Sequence, residues 1–307
     1  MSTDVYANRD RSAQATVTSF HVSTPTSDLV GREYAGEGQP IVLLHGGPGV
    51  PDYLEPVAAL LAPRHRVITF DQRGVGASSV RSGGYSVAAY LGDLEGIRTS
   101  LGVDRLHLFG HSWGGLLGQL YAAAFPAHTG SLFLCDSSTG VGPDWKRMEG
   151  AVLRHNRRQA GLARFLIMGG RSLLALLPGP VGDRAFQRMF AQIWRNYFPD
   201  PRQAPPADPR WLAGISRSAM RLTRQAILHM DPSLLCEIAA TPAFPVLVLF
   251  GGNDIYGSET RLVAARYPQA ANYRLEGTVH LPWLQSPDRF ASILRGFYDT
   301  VAGVAEP

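Results

Sequence analysis

Short apolar segments alternate with longer amphipathic segments over most of the chain, a pattern typical of alternating strands and helices. Three β-rich stretches come first, TVTSFHV, DLVGREYAG and QPIVLLHGG. The later apolar segments are RVITF, RLHLFG, SLFLCD, FPVLVLFGG and ANYRLEG. Amphipathic helices are predicted near residues 86–101, 112–125, 258–267 and 287–301. This alternation predicts an α/β fold, with a mostly parallel sheet covered by helices on both faces.

The alternation is interrupted at residues 138–242, which show helical periodicity, many arginines and no strand pattern. Proline and glycine breaks divide this block at LPGPVGD and FPDPRQAPPADPR. Ligands of open α/β sheets bind beyond the carboxyl ends of the strands, so an insertion there would cover the site. We therefore expect an N-terminal extension with the first strand (1–27), a sheet core (28–137 and 243–307) and an inserted helical cap (138–242).

Length and composition favour a cytoplasmic enzyme. The chain has 307 residues, of which 45% are hydrophobic, enough to bury a large core. Its first twenty residues lack the layout of a signal peptide, and its apolar runs are too short to span a bilayer. The cysteines, Cys135 and Cys236, fit no metal or redox spacing. We expect no membrane partner.

The net charge of +4 is unevenly distributed. Residues 141–240 carry 15 Lys and Arg against 7 Asp and Glu, which fits either a functional basic surface or arginine-rich coding. No basic run has interleaved aromatic residues, so we expect no nucleic-acid partner. The chain also has no Walker-type loop, no H-E-x-x-H and no paired-cysteine site, so the sequence predicts no cofactor and no metal.

The segment FGHSWGGLLG places Ser112 between a predicted strand and a predicted helix, among glycines. A strand–turn–helix context is what a G-x-S-x-G nucleophile requires, because side chains next to the strained turn would collide with the helix. A glycine-rich turn with a serine helix cap is the structural alternative. The rest of the chain favours the nucleophile.

A serine nucleophile needs a base, and His280 is the best placed histidine. It follows the last predicted strand in EGTVHLPW, at the edge of the sheet where Ser112 is expected. His128 falls at the far end of the helix after Ser112, and His155 and His229 fall in the helical insertion. We predict that His280 is the base.

Two acids could orient that histidine. Asp254 in LFGGNDIYG stands just past a strand, in a loop with two glycines and close in sequence to His280. Asp136 in LFLCDSS also ends a strand and is expected to anchor the loop that leads into the insertion. We predict Asp254 as the orienting carboxylate and keep Asp136 as the alternative.

Backbone donors for an oxyanion are predicted from two turns. The segment LLHGGPGV ends a strand, and Gly47 in its turn can present an N–H. Trp113, directly after the nucleophile, can present the other. In DQRGVGASS, we expect Asp71 and Arg73 to brace loops near the site.

The motifs HGGPG, DQRGVGAS, GHSWGG, GGND and GTVH, in this order, resemble the α/β-hydrolase superfamily and, more narrowly, the proline iminopeptidase family. The resemblance covers about residues 28–301 and is strongest in the sheet-forming parts. It implies an α/β-hydrolase fold, Ser112, Asp254 and His280 as a catalytic triad, and Gly47 and Trp113 as the oxyanion hole. This agrees with the assignment from the residues themselves.

The cap departs from that family. Proline iminopeptidases carry a cap segment Glu-Asn-His-Tyr-Phe, whose glutamate holds the free α-amino group of the substrate. The similar segment AQIWRNYF has Trp194 at that place and Arg195 next to it, and we expect both to contact substrate. The other glutamates of the cap, Glu149 and Glu237, lie elsewhere in the sequence. Substrates without a free α-amino group are therefore expected.

The sequence predicts a serine hydrolase that cleaves a small ester or amide, including a short peptide, through an acyl-serine. A true proline iminopeptidase is one alternative. Another is a thioesterase, acyltransferase or cyclase of a biosynthetic pathway, in which the basic cap would meet an acidic carrier protein. A non-catalytic binding module on the same fold is the third.

Overall fold

The computed structural model of this chain describes residues 15–62, 64–236 and 242–301. The start of the predicted N-terminal extension and Glu237 of the predicted cap lie outside the described residues. The described strands are β1 Val17–Ser23, β2 Ser27–Tyr34, β3 Glu37–Leu44, β4 His65–Phe70, β5 Ser79–Val80, β6 Leu106–His111, β7 Thr129–Cys135, β8 Val246–Gly251 and β9 Ala271–Leu275. The described α-helices are α1 Glu55–Leu61, α2 Val87–Leu101, α3 Trp113–Ala124, α4 Pro143–Leu174, α5 Gly179–Asn196, α6 Pro209–Ala213, α7 Arg217–Leu228, α8 Thr260–Arg266, α9 Pro282–Gln285 and α10 Pro287–Val301.

The strands form one sheet in the order β1-β2-β4-β3-β6-β7-β8-β9, with the short β5 paired to β2. Strand β2 is antiparallel to β1, β4 and β5. All pairings from β4 through β3, β6, β7 and β8 to β9 are parallel. The sheet is therefore mostly parallel, as the alternation of segments predicts, and the carboxyl ends of its central strands share one edge.

The central strands are buried on both faces, which explains their nearly continuous apolar sequences. One apolar core lies between the sheet and α2, α3 and α8. A second core lies between the opposite face and α1 and α10. Local signals fix the helix ends: Ser86 caps α2 by accepting from the Ala89 N–H, and Gly102 ends it at φ 67°.

Helices α4 to α7 lie between β7 and β8 in the chain and pack over the loop after β3. The Ser216 N–H donates to the carbonyl oxygen of Gly49 at 2.7 Å. The Trp211 indole N–H donates to the carbonyl oxygen of Pro51 at 3.0 Å. Val50 packs with Phe186 and Phe190 of α5 in a small apolar cluster of its own. These contacts hold α5, α6 and the start of α7 beside the carboxyl end of β3, and α4 packs against α5.

Among the residues that the structure describes, no helix combines the length and apolar character needed to cross a bilayer.

Candidate active site

Ser112 occupies the turn between β6 and α3, with φ 55° and ψ −121°. Positive φ is uncommon for a residue with a side chain, and such strain clusters at functional sites. The neighbouring glycines permit the turn: a Cβ at Gly110 would lie 2.5 Å from the carbonyl oxygen of Gly114. A Cβ at Gly114 would lie 2.0 Å from the carbonyl oxygen of Leu44. The close backbone approach therefore requires the glycines that surround Ser112 in the sequence.

His280 and Asp254 form a buried pair. The His280 Nδ1–H donates to Asp254 Oδ2 at 2.6 Å. Both side chains are 1% exposed, and the Tyr256 N–H donates to the other carboxylate oxygen at 2.8 Å. Burial lowers the pKa of His280 to about 3, so its ring is neutral. Its Nε2 is buried with no hydrogen-bond partner among the described residues, which leaves this lone pair available to accept a proton.

Ser112 is hydrogen-bonded to Tyr256, a residue that the sequence analysis did not single out. The Ser112 Oγ lies 2.9 Å from the Tyr256 hydroxyl, which lies 2.9 Å from Ser138 Oγ. Burial raises the pKa of the Tyr256 phenol, so it stays protonated and can donate. In the described part of the chain, Ser112 has no hydrogen bond to His280. The one feature of the sequence that points to Tyr256 is its position two residues after Asp254, in the same loop.

Asp136 sits beside Asp254. It was predicted to anchor the loop that leads into the insertion, but its carboxylate instead binds the end of β8. Its backbone is at φ 43°, and its Oδ1 accepts from the Gly251 N–H at 2.7 Å, at the end of β8. Burial and the charge of Asp254 raise the pKa of Asp136 well above its usual range. Burial also raises the pKa of Asp254, to about 7. We infer that one proton is held on Asp136, which then hydrogen-bonds to the ionised Asp254.

The N–H groups of Gly47 and Trp113, the predicted oxyanion donors, lie in the two turns that meet at Ser112. Gly47 lies in the turn after β3 at φ 64°, and its N–H has no acceptor among the described residues. Trp113 is the first residue of α3, so its N–H has no acceptor within the helix. The loop of Gly47 packs directly on Ser112, because a Cβ at Gly46 would lie 2.7 Å from the Ser112 Cβ.

Three side chains that the sequence analysis missed hold these elements together. The Gly46 N–H donates to the Tyr53 hydroxyl, which donates to His111 Nδ1 at 2.5 Å. The His111 Nε2–H donates to the carbonyl oxygen of His280 at 2.8 Å. Gln72 accepts from the Trp113 indole N–H and donates to the carbonyl oxygen of His45. The turn after β3, the turn of Ser112 and the loop of His280 thus form one hydrogen-bonded network.

The segment after β4 braces the neighbouring loops, as expected. The fully buried Arg73 donates to both carboxylate oxygens of Asp93 at 2.7 Å. It also donates to the carbonyl oxygen of Gly84 at 2.7 Å. Asp71 accepts from the N–H groups of Asp52 and Ala77. These bonds fix the chain beside the site without contacting Ser112.

A cavity of about 450 Å³ opens onto Ser112 and His280. Most of its lining is apolar or aromatic, and much of it comes from the helices that cover the sheet. The lining residues from those helices are Trp145, Met148, Glu149, Val152, Leu153, Phe190, Trp194, Trp211, Met220 and Arg224. An apolar acyl or alcohol group fits this surface better than a charged one.

The structure places Trp194 in the cavity wall, where its ring packs against Trp211 at 5.6 Å between centroids. Arg195 is exposed and does not line the cavity, so the expected substrate contact of Arg195 is wrong. The rotation of about 100° between successive helical residues turns the Arg195 side chain toward solvent here, while Trp194 lines the cavity. Glu149 does line it, but Arg224 donates to both its oxygens and Trp145 to one.

Within the described residues, the side chains of His111, Asp136 and His280 form a group whose ligand atoms lie within 4.8 Å of one another. Both ring nitrogens of His111 and the Nδ1 of His280 are already hydrogen-bonded. Asp136 binds the Gly251 N–H. We therefore assign this group to the hydrogen-bond network around His280 and not to a metal ion.

Curated relatives carry peptidase names. The chain is 30% identical over 230 residues to a probable proline iminopeptidase of Streptomyces coelicolor, a match that covers 71% of this chain and 64% of that protein. The chain thus spans less than two thirds of that relative's length. A proline iminopeptidase of Lactobacillus delbrueckii subsp. lactis is 37% identical over 107 residues, 33% of this chain and 36% of that protein.

Solved structures share the fold. An esterase from Rhodococcus sp. ECU1013 aligns with a TM-score of 0.63 and 24% identity, covering 93% of this chain and 99% of that one. The family model described as alpha/beta hydrolase fold matches residues 39–287. The chain therefore belongs to the alpha/beta hydrolase fold family.

Proposed function

We propose that this chain is a serine hydrolase that cleaves a small ester or amide through an acyl-enzyme on Ser112. The observation that carries the proposal is the buried Asp254–His280 pair, whose Nε2 has no partner in the described structure. Ser112 stands nearby on a strained turn between two free backbone donors. These are the parts that acyl transfer needs.

In this proposal, His280 Nε2 accepts the Ser112 proton while Oγ attacks the substrate carbonyl. The N–H groups of Gly47 and Trp113 bind the oxyanion of the tetrahedral intermediate. His280 returns the proton to the leaving group, and water then cleaves the acyl-serine by the same steps. The Asp254 carboxylate stabilises the imidazolium that forms in each step.

The Tyr256 hydroxyl adds a hydrogen-bond donor next to the Ser112 Oγ. A serine hydroxyl can donate one hydrogen bond and accept two, so Ser112 can donate to His280 while it accepts from Tyr256. The protonated phenol then stabilises negative charge that develops on Oγ. Ser138 holds the phenol in place from the other side.

The cavity supports a substrate without a free ammonium group next to the scissile carbonyl. Glu149 is the carboxylate that the helices α4 to α7 contribute to the lining, and its oxygens already accept from Arg224 and Trp145. A substrate ammonium would have to compete with this bidentate guanidinium. We also propose that residues 138–242 act as one cap, which closes the apolar cavity over Ser112.

A panel of p-nitrophenyl esters, aminoacyl arylamides and acyl thioesters tests the proposal, with fluorophosphonate labelling in parallel. We expect turnover of neutral esters with apolar groups and labelling of Ser112. Labelling without turnover of any substrate class would instead support the binding module.

Proline iminopeptidase activity is the second candidate, because of the names of the relatives and because Glu149 lies in the cavity. Comparing kcat/KM for proline p-nitroanilide, its N-acetylated form and a neutral ester of similar size separates the two. A clear preference for the free amine would establish the peptidase.

A further inference from the structure

A second cleft borders the loop that carries Asp254, and its chemistry differs from that of the apolar cavity. Its volume is about 610 Å³, and four arginines line it: Arg154, Arg158, Arg261 and Arg274. The first two belong to α4, Arg261 belongs to α8, and Arg274 belongs to β9. The cleft is thus built from both the covering helices and the sheet.

The lining offers further polar groups and little negative charge. Ser258 lines the cleft, as do His155, Gln159 and Thr260, which donate to the carbonyl oxygens of Asn196, Phe198 and Gly257. Its carboxylate, Asp254, is turned away into the pair with His280. Arg274 lies near Glu276, a weak exposed contact at 3.3 Å, and Glu276 is not part of the lining. The cleft therefore has an excess of positive charge.

We propose that this cleft binds a phosphate or diphosphate group. Guanidinium groups form paired, charge-assisted hydrogen bonds with phosphate oxygens, and hydroxyl and amide groups complete such sites. Four arginines exceed what a single carboxylate needs and suit a ligand with several negative charges, such as a diphosphate. The cleft shares Asp254 with the candidate triad and Ile255 with the apolar cavity, so the bound group would lie next to the catalytic loop.

Two sources could supply this group: a phosphate-bearing portion of the substrate, or a separate phosphate ligand. A phosphate-bearing substrate rests on the proposed function. It would be an acyl thioester whose thiol carrier bears phosphate groups. Binding of inorganic pyrophosphate does not depend on hydrolysis, so failure of the proposed function would leave that measurement interpretable.

The test is calorimetric titration of the full chain with inorganic pyrophosphate, at constant ionic strength. We expect saturable binding, weakened at least about tenfold in Arg158→Gln/Arg261→Gln by loss of two charge-assisted contacts. Arg202→Gln, an exposed arginine outside the cleft, is the matched control and should bind as wild type. Equal binding by the cleft variant, or no saturable binding by wild type, would overturn the proposal.

The two sources are separated by comparing coenzyme A and N-acetylcysteamine thioesters of one acyl group. A substrate role predicts a higher kcat/KM for the phosphate-bearing thioester, lost in the cleft variant. A separate ligand predicts equal values for both thioesters, with pyrophosphate binding retained.

A different observation concerns the outer face of α4. This helix is interrupted at Gly161, with φ 71° and ψ 165°, so residues 162–174 form a separate helical segment. Large apolar side chains of this segment, of the following turn and of the start of α5 are exposed, up to 78% at Leu176. We name them the apolar ridge: Leu162, Leu166, Ile167, Leu173, Leu174, Leu176, Leu177 and Val181.

Helical geometry shows that the ridge is a continuous face. At about 100° per residue, its positions between 162 and 174 fall within an arc of about 140°. Arg164 and Arg171 lie just beyond one edge of this arc. Met168 is buried on the other side, where Ser172 contacts the Met189 sulfur of α5. The segment is therefore packed by one face and exposes an apolar face to solvent, which in monomeric proteins marks an interaction site.

The charge of the ridge segment indicates which kind of surface docks on the ridge. Residues 162–182 contain two arginines, Arg164 and Arg171, and no Asp or Glu. Two copies that met ridge to ridge would bring the same arginines together, which disfavours a symmetric dimer. The ridge also lacks the aromatic side chains that dominate protein interfaces. We infer that the ridge docks on an anionic phospholipid surface, with leucines among the acyl chains and arginines at the headgroups.

Vesicle flotation tests this inference. Wild type should float with phosphatidylcholine vesicles that contain 30% phosphatidylglycerol, with a bound fraction about tenfold above that for pure phosphatidylcholine. Leu166→Glu/Leu173→Glu should abolish flotation, whereas Val17→Glu, at an exposed apolar residue of β1, should not. Thermal unfolding verifies that each variant is folded. Absence of wild-type flotation, or a dimer in light scattering that only the ridge variant loses, would refute the inference.

Discussion

Replacing Asp254 by asparagine should remove most of the activity, whereas the same replacement at Asp136 should not. Asp254 Oδ2 lies 2.6 Å from His280 Nδ1, and both side chains are 1% exposed, so no water substitutes for the lost carboxylate. The amide of Asp254→Asn favours the His280 tautomer that lacks the Nδ1 proton, and it has no charge to stabilise the His280 imidazolium. We expect kcat to fall about 10⁴-fold, which corresponds to about 5.4 kcal/mol of transition-state stabilisation.

Asparagine at position 136 reproduces a protonated aspartate. Its carbonyl oxygen can accept from the Gly251 N–H, which now donates to Asp136 at 2.7 Å, and its NH₂ can donate to Asp254. We therefore expect activity within about threefold of wild type, a difference under about 1 kcal/mol. Alanine at 136 should instead destabilise the fold by about 1–3 kcal/mol, because the buried Gly251 N–H loses its acceptor.

The rate of fluorophosphonate labelling reports the reactivity of Ser112 in both variants and requires no knowledge of the natural substrate. The second measurement is kcat/KM of each variant on the best ester of the panel. Circular dichroism and thermal unfolding establish that the proteins are folded. If folded Asp136→Asn loses as much activity as Asp254→Asn, then Asp136 orients His280 and the assignment is wrong.

Three further predictions concern other groups. Tyr256→Phe should lower kcat by about 10–100-fold with little change in thermal stability, because one hydrogen bond to a charged Oγ is lost; unchanged kcat would remove Tyr256 from the mechanism. Arg224→Met should free Glu149 and raise kcat/KM for proline p-nitroanilide relative to its N-acetylated form, and an unchanged ratio would show that Glu149 does not meet the substrate. His107, held neutral by burial that lowers its pKa to about 4, takes up a proton on unfolding below pH 6.5. The unfolding free energy should therefore fall between pH 6.5 and 4, by up to about 3 kcal/mol from this residue, and His107→Gln should make urea-unfolding curves less dependent on pH.

Much of the fold could be predicted from the sequence because parallel strands are short apolar runs and surface helices are amphipathic. The last helix, α10, has the predicted bounds, and Ser86 caps α2 where the pattern begins. Helix α1 and the two-residue strand β5 were not predicted. Each is too short for its periodicity to stand out from the neighbouring loops.

The candidate site could be predicted in part because its residues follow strand ends. Tyr53, Gln72 and Tyr256 could not, because their roles come from hydrogen bonds between loops that are far apart in sequence. The expected contact of Arg195 failed because the comparison of cap sequences ignored which face of α5 each residue occupies.

The apolar ridge shows a similar limit. Periodicity shows that a helix has an apolar face, but it does not show whether that face packs inward or is exposed. In residues 162–174 the apolar face is exposed. The expectation of no membrane partner rested on the lack of a spanning segment, which does not test docking by a surface helix.

The central claim is that Ser112 is a covalent nucleophile, and mass spectrometry after fluorophosphonate treatment tests it most directly. We predict one adduct on the intact wild-type chain, located by peptide mapping at Ser112, and no adduct on Ser112→Ala. Asp254→Asn should form the same adduct far more slowly. An adduct on another serine that persists in Ser112→Ala, or a wild-type chain that remains unlabelled, would contradict the account.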